Sequence, residues 1–146
     1  MIVGRFLNFC QELTALAGKG LFLEKLNRLD EALELYNFII SKHPDDSETH
    51  NCKASVLYSM KRYEESISDC DAAISLSPDD YLARGNKANA LSELHRYEEA
   101  LEEYDKALQI APYSTDIHRN KNVTLNMMGM KEEANRELTK GARLNS

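Results

Sequence analysis

The three prolines of this chain, Pro44, Pro78 and Pro112, recur at a spacing of 34 residues, and each closes a stretch written to one pattern. Leu26 to Pro44 reads LNRLDEALELYNFIISKHP, Met60 to Pro78 reads MKRYEESISDCDAAISLSP, and Leu94 to Pro112 reads LHRYEEALEEYDKALQIAP. A fourth copy, without its proline, runs from Met128 to Leu144. Self-similarity at this period marks units that cannot bury their apolar faces alone and become stable only by stacking on one another.

Within the third copy, Tyr97, Ala100, Leu101, Tyr104, Ala107 and Leu108 follow the three-and-four spacing of one helical face, with Glu98, Glu99, Glu102, Glu103 and Asp105 on the others. The pattern predicts an amphipathic helix. Acidic residues crowd its first turn, where the macrodipole favours negative charge, and Pro112 stands where the helix must have stopped. Ala32, Ser66, Ala100 and Ala134 share one column, as close approach of two helix backbones requires.

Each unit also has a first helix, which carries Leu23, Leu57, Leu91 and Leu125 in one column and Phe22, Val56, Ala90 and Thr124 beside it. Gly20, Ala54 and Ala88 form a second small column, which Asn122 breaks in the last unit. The turn between the helices holds Asn27, Lys61, His95 and Gly129. Glycine, and asparagine less readily, tolerate positive φ there, so Lys61 and His95 are expected to cost on the order of 1 kcal/mol each if they adopt it.

A chain of 146 residues that is 42% apolar and 29% charged fits a single domain, 1–146, and not a disordered one. Its units are 13–46, 47–80, 81–114 and 115–146, preceded by an overhang at 1–12. The net charge of −6 leaves no basic stripe for phosphates and argues against nucleic acid and against an anionic membrane surface. Cys10, Cys52 and Cys70 make neither a paired framework nor a zinc spacing, so free thiols in the cytoplasm are expected. In the overhang Arg5, Asn8, Gln11 and Glu12 interrupt the apolar run that an export signal needs. The spacing of Phe6, Phe9, Leu13, Leu16, Gly20 and Leu23 predicts a first helix from near Val3 to about Leu26. The overhang then either caps the first unit or meets a second copy or a partner.

The 34-residue period, the small column ending in Ala134, the columns Leu29/Tyr63/Tyr97 and Tyr36/Cys70/Tyr104, and the recurrent proline together resemble the tetratricopeptide repeat family over Leu13 to Ser146. Two columns depart from it. Leu16, His50, Arg84 and His118 stand where the family has a large aromatic residue, and Lys131 stands in the tyrosine column. The resemblance implies an all-α, right-handed superhelical solenoid of antiparallel helix pairs whose first helices line a concave groove.

On that implication the groove residues are Asn51, Cys52, Lys53, Ser55 and Tyr58 in unit two, Asn86, Lys87 and Asn89 in unit three, and Arg119, Asn120, Val123 and Asn126 in unit four, with Gly85, Ser92, Glu93 and Met127 beside them. A carboxamide both donates and accepts, so a row of asparagines can hold an extended peptide backbone without demanding particular side chains. Asn86 and Asn120 occupy the column where some family members carry such a ladder. The clamp with which co-chaperones of the family grip a terminal carboxylate is not met, because one or two asparagines match it and no basic residue does. Chaperone tails are therefore not the expected partner. Lys19, Lys53, Lys87 and Lys121 repeat at one place in every first helix. Two readings stay open: aligned ammonium groups that attract an acidic peptide, or lysine stems that cover apolar surface while their charges reach water or a carboxylate.

In the fourth unit Asn135 and Ala142 replace the apolar residues that would meet a fifth, so it reads as an end. An enzyme is the competing class. His43, His50, His95 and His118 lie in turns or on the surface of different units without metal-ligand spacing, and no glycine loop could cradle phosphate. No metal or cofactor is expected. The expectation is a non-enzymatic scaffold that binds a protein or peptide segment, with two alternatives: a self-associating module, such as a homodimer through the overhang, or a piece of a larger enzyme whose catalytic part lies elsewhere.

Overall fold

The computed structural model describes the backbone of residues 2–143 and the side chains of residues 14–140 and 142. Within these bounds the chain is all helix: α1 (Ile2–Lys25), α2 (Leu29–Lys42), α3 (Ser47–Ser59), α4 (Tyr63–Leu76), α5 (Tyr81–Glu93), α6 (Tyr97–Ile110), α7 (Thr115–Met127) and α8 (Lys131–Arg143). Odd and even helices pair within a unit, and each even helix packs on the next unit's first helix. The first helices α3, α5 and α7 also touch in succession. This is the stacked solenoid that the period requires. None of the described helices is long and apolar enough to cross a membrane. The side chains of Phe6 and Phe9, on which the overhang reading turned, lie outside the described residues.

Close helix approach rests on the small columns. Ala32, Ser66, Ala100 and Ala134 are all fully buried. Where two polar residues enter these columns, each finds a carbonyl across the helix pair: Ser66 Oγ donates to Ala54 O at 2.8 Å, and the Asn122 amide donates to Ala134 O. Asn122 therefore does not loosen the fourth pair but bonds across it, since a buried polar group without a partner would be costly. One apolar cluster joins units one and two around Leu23, Tyr36, Ile39 and Val56. Another joins units three and four around Leu91, Tyr104, Ala107 and Ile117.

The ends of the stack are exposed where its middle is buried. Val56, Ala90 and Thr124 pack beneath the preceding unit, whereas Phe22, in the same column, is 60% exposed. Tyr36, Cys70 and Tyr104 are buried beneath the following unit, whereas Leu138 is 56% exposed. Asn135 and Ala142 give the last unit a polar or small outer face, and Leu138 adds an apolar spot to it.

The turn residues Asn27, Lys61, His95 and Gly129 have φ of 56°, 59°, 60° and 79°. The left-handed residue lets the next amide turn back to the carbonyl of the buried leucine, so that Arg28, Arg62, Arg96 and Met130 donate to Leu23, Leu57, Leu91 and Leu125 at 2.9 Å. Three of the four positions adopt this conformation without being glycine. Lys61→Gly is expected to stabilise the protein by about 0.5 kcal/mol, which is what remains of roughly 1 kcal/mol of strain once glycine's larger unfolded-state freedom is allowed for. A raised urea midpoint at unchanged slope is the sign to look for, and a lowered midpoint would contradict the strain.

The two unusual basic columns form one repeated cluster. His50 bonds Asp69 at 3.0 Å and Pro44 O at 3.1 Å. Arg84 bonds Glu103 at 3.3 Å and Pro78 O at 3.0 Å, and His118 bonds Glu137 and Pro112 O, both at 3.0 Å. Each acid also meets the lysine of its own unit: Lys53 at 3.0 Å, Lys87 at 3.8 Å and Lys121 at 3.5 Å. His118 is buried and His50 half-buried, so the expectation of turn or surface histidines fails for both. They tie the carbonyl at the end of one unit to an acid in the next.

Candidate functional site

Because α3, α5 and α7 lie side by side, their outward faces form a shallow trough crossed by polar bonds. Asn86 Nδ2 donates to Asn51 Oδ1 at 2.8 Å, joining α5 to α3. Asn120 Nδ2 donates to Asn89 Oδ1 at 3.0 Å, joining α7 to α5, and the Tyr104 hydroxyl donates to the same oxygen at 2.6 Å. The asparagine row is thus partly occupied with itself. Asn86 Oδ1, Asn120 Oδ1 and Asn89 Nδ2 have no protein partner among the described residues, so two acceptors and a donor remain on these three side chains.

A pocket of about 130 Å³ opens in the trough, lined by Tyr58, Asn89, Ser92, Glu93, Tyr104, Asn120, Val123, Thr124 and Met127. Val123 and Met127 are 48% and 54% exposed and supply its apolar wall. Ser92 and Thr124 bond each other at 2.9 Å on its floor. Burial, and then the neighbouring Glu93 carboxylate, push the Tyr58 hydroxyl up to about 12. Burial does the same for Tyr104, so both phenols remain hydrogen-bond donors at neutral pH. Two larger hollows lie on the even-helix side, but there Lys121 and Lys140 are already paired with Asp105 and Glu137.

Several expected groove residues sit elsewhere. Lys53, Lys87 and Lys121 reach carboxylates of the even helices, at 3.0 Å to Asp69, 2.7 Å to Asp71 and 2.6 Å to Asp105. Their charges are drawn away from the trough, which removes Lys53 and Lys87 from the site. Cys52 is half-buried against the first core cluster, next to the Tyr36 hydroxyl. Burial, with Glu24 nearby, pushes its thiol up to about 11, and burial takes Cys70 to about 12, so neither is a thiolate at neutral pH. Gly85 is buried against Ile117. Arg119 stays exposed and pairs with Asp116 at 3.0 Å, Asn126 bonds back to Asn122 at 3.0 Å, and Ser55 is half-buried on α3. The sequence places Tyr104 and Tyr63 in repeat columns of the second helices and gives neither a part in the groove. A hydroxyl in a column that tolerates Cys70 was the available sign that Tyr104 has a polar task. Among the described residues no group of three or more His, Cys, Asp or Glu could hold a metal ion.

Residues 45–112, the second and third units with the centre of the trough, match the family model described as tetratricopeptide repeat. These two units are tetratricopeptide repeats. The eight described helices of the chain make about four such helix pairs. Among solved structures, MamA 41-end from Desulfovibrio magneticus RS-1 superposes with a TM-score of 0.81 at 20% identity, covering 91% of this chain and 75% of that one. The first TPR of Spaghetti (RPAP3), bound to the HSP90 peptide SRMEEVD, superposes with a TM-score of 0.76 at 23% identity, covering 82% and 94%. At these identities the likeness establishes the shared repeat fold. A sequence comparison with curated proteins finds no match.

Proposed function

We propose that this chain is a non-enzymatic, cytoplasmic scaffold that holds an extended peptide or protein segment in the trough of α3, α5 and α7. The observation that carries the reading is the pair of cross-helix amide bonds, Asn51 with Asn86 and Asn89 with Asn120, set beside an open pocket. The bonds hold the remaining amide groups at fixed places, so little ordering is required when a backbone docks. The RPAP3 structure supports the reading in that a related repeat array is described as bound to a peptide. SRMEEVD itself is not the expected guest, because this trough lacks the basic clamp and carries Glu93.

A photo-crosslinking residue at Val123, in the trough, is expected to capture a partner segment, with the yield reduced by Asn51→Ala/Asn86→Ala. The same group at Phe38, which is exposed on α2 away from the trough, is expected not to. Equal capture at both positions would overturn the proposal. Self-association is the second reading, favoured by the exposed Phe22 and Leu26 at one end of the stack and Leu138 at the other. A mass that rises with protein concentration separates it from the first.

A further inference from the structure

We propose that the end of the trough formed by the C-termini of α3, α5 and α7 is a subsite for a lysine or arginine side chain of the bound segment. Glu93 is its counter-ion, and Tyr58, Val123 and Met127 flank its aliphatic stem. The inference rests on the trough being the peptide site and names the chemistry that one part of it selects.

Glu93 is the last residue of α5 and is exposed. The hydroxyls of Tyr58 and Tyr63 reach one each of its carboxylate oxygens, both at 3.3 Å, and the two rings lie 5.5 Å apart at 58°. Two donors from different helices thus hold the carboxylate in place, yet among the described residues no lysine, arginine or histidine pairs with it. The contrast is with Asp69, Glu103 and Glu137, each of which meets two or more cationic or imidazole groups.

The placement of Glu93 also opposes its helix. A helix C-terminus is the negative end of the macrodipole and favours a cation, so a carboxylate there is unfavourable for folding. The equivalent residue of the first unit is Lys25, the choice that suits a helix end. In the second and fourth units the same place holds Ser59 and Met127, and the last turns of α3, α5 and α7 contain no basic residue. Three helix C-termini and one uncompensated carboxylate therefore collect at one end of the trough. The lysine column, which could have neutralised them, is turned to the other side.

The pocket walls fit the stem of the same guest. Lysine and arginine carry an apolar stem beneath the charge, and the half-exposed Val123 and Met127 can cover it. The Tyr58 ring offers a face to the cation. An acidic guest meets repulsion from Glu93 and from the helix ends alike.

The test uses the intact chain, labelled with nitrogen-15, and three nonapeptides of alternating serine and valine with lysine, norleucine or glutamate at the centre. The lysine peptide is expected to bind about three- to fivefold more tightly than the norleucine peptide at low salt, with the preference fading as salt rises. The glutamate peptide is expected to bind most weakly. The amides of Glu93 and Met127 should shift most with lysine. Glu93→Gln should erase the preference for lysine over norleucine, and its urea midpoint should equal or exceed that of the wild type, because a carboxylate has left a helix C-terminus. Equal affinities for lysine and norleucine, with trough amides still shifting, would refute the subsite and leave the trough standing. If no peptide shifts the amides of α3, α5 and α7, both fail.

Discussion

Glu103→Leu should cost about 3 kcal/mol of stability, and Arg84→Leu introduced with it should restore most of the loss. Glu103 is buried, with Arg84 at 3.3 Å, Lys106 at 2.7 Å and Lys87 at 3.8 Å around it. Removing the acid alone leaves a half-buried guanidinium facing a leucine. Removing both reproduces the first unit, in which Leu16 and Leu35 occupy the equivalent places and pack against the first core cluster. Arg84 is also the weakest fit of its column, since its buried Nε has no partner, whereas His50 and His118 engage both ring nitrogens. Lys87 keeps Asp71 at 2.7 Å in either variant. Urea unfolding of the two single variants and the double gives the coupling directly. Equal losses in Glu103→Leu and the double variant would show that the arginine is not the liability.

Acid probes the same cluster. Burial is the largest influence on the Glu103 carboxyl and would raise it, but Lys106, Lys87 and Arg84 together hold it below its ordinary 4.5. Glu137 is likewise lowered against burial, by Lys140, His118 and Lys121. A carboxyl that is depressed in the folded state contributes its full stabilisation above its unfolded value, and that contribution disappears as pH falls through the folded value. The wild type should therefore lose stability as pH drops below about 4.5. The Arg84→Leu/Glu103→Leu variant should lose less over the same interval.

The helix pairs were legible because the period, the small columns and the turn residues each have a local cause. The turn column raised positive φ at Lys61 and His95 only as a condition, and the structure supplies the reason that they adopt it: the buried leucine carbonyl four residues earlier accepts from the following amide. The ion clusters were not legible. By helical register alone Lys87 and Glu103 both lie off the apolar faces of their helices, and only the packing of α6 on α5 brings the two together and buries the acid. The trough was half legible for the same reason. First-helix register predicted which asparagines share a face, but the bond from Asn86 to Asn51 spans 35 residues and depends on the rise between units. Tyr63 and Tyr104 enter from the even helices, which a reading by first-helix register does not reach.

Tyr104→Ala should be the most damaging single change, at about 3–5 kcal/mol, through lost burial and the cavity left behind. Its ring is buried in the cluster that joins α5 and α6 to Ile117 of α7, so the loss falls on the joint between the third and fourth units. In a stack where each unit is held by its neighbours, weakening one joint separates the transition beyond it from the rest. Amides of α7 and α8 are therefore expected to lose exchange protection to a greater degree than those of α3 and α4, and urea unfolding should broaden into two steps. Tyr104→Phe separates the hydroxyl from the ring. It should cost only about 1 kcal/mol, keep a single transition, and loosen Asn89, which then retains only the bond from Asn120. If protection in α3 and α4 fell as far as in α7 and α8, the four units would unfold together, and the joint at Tyr104 would not be the weak link that its position implies.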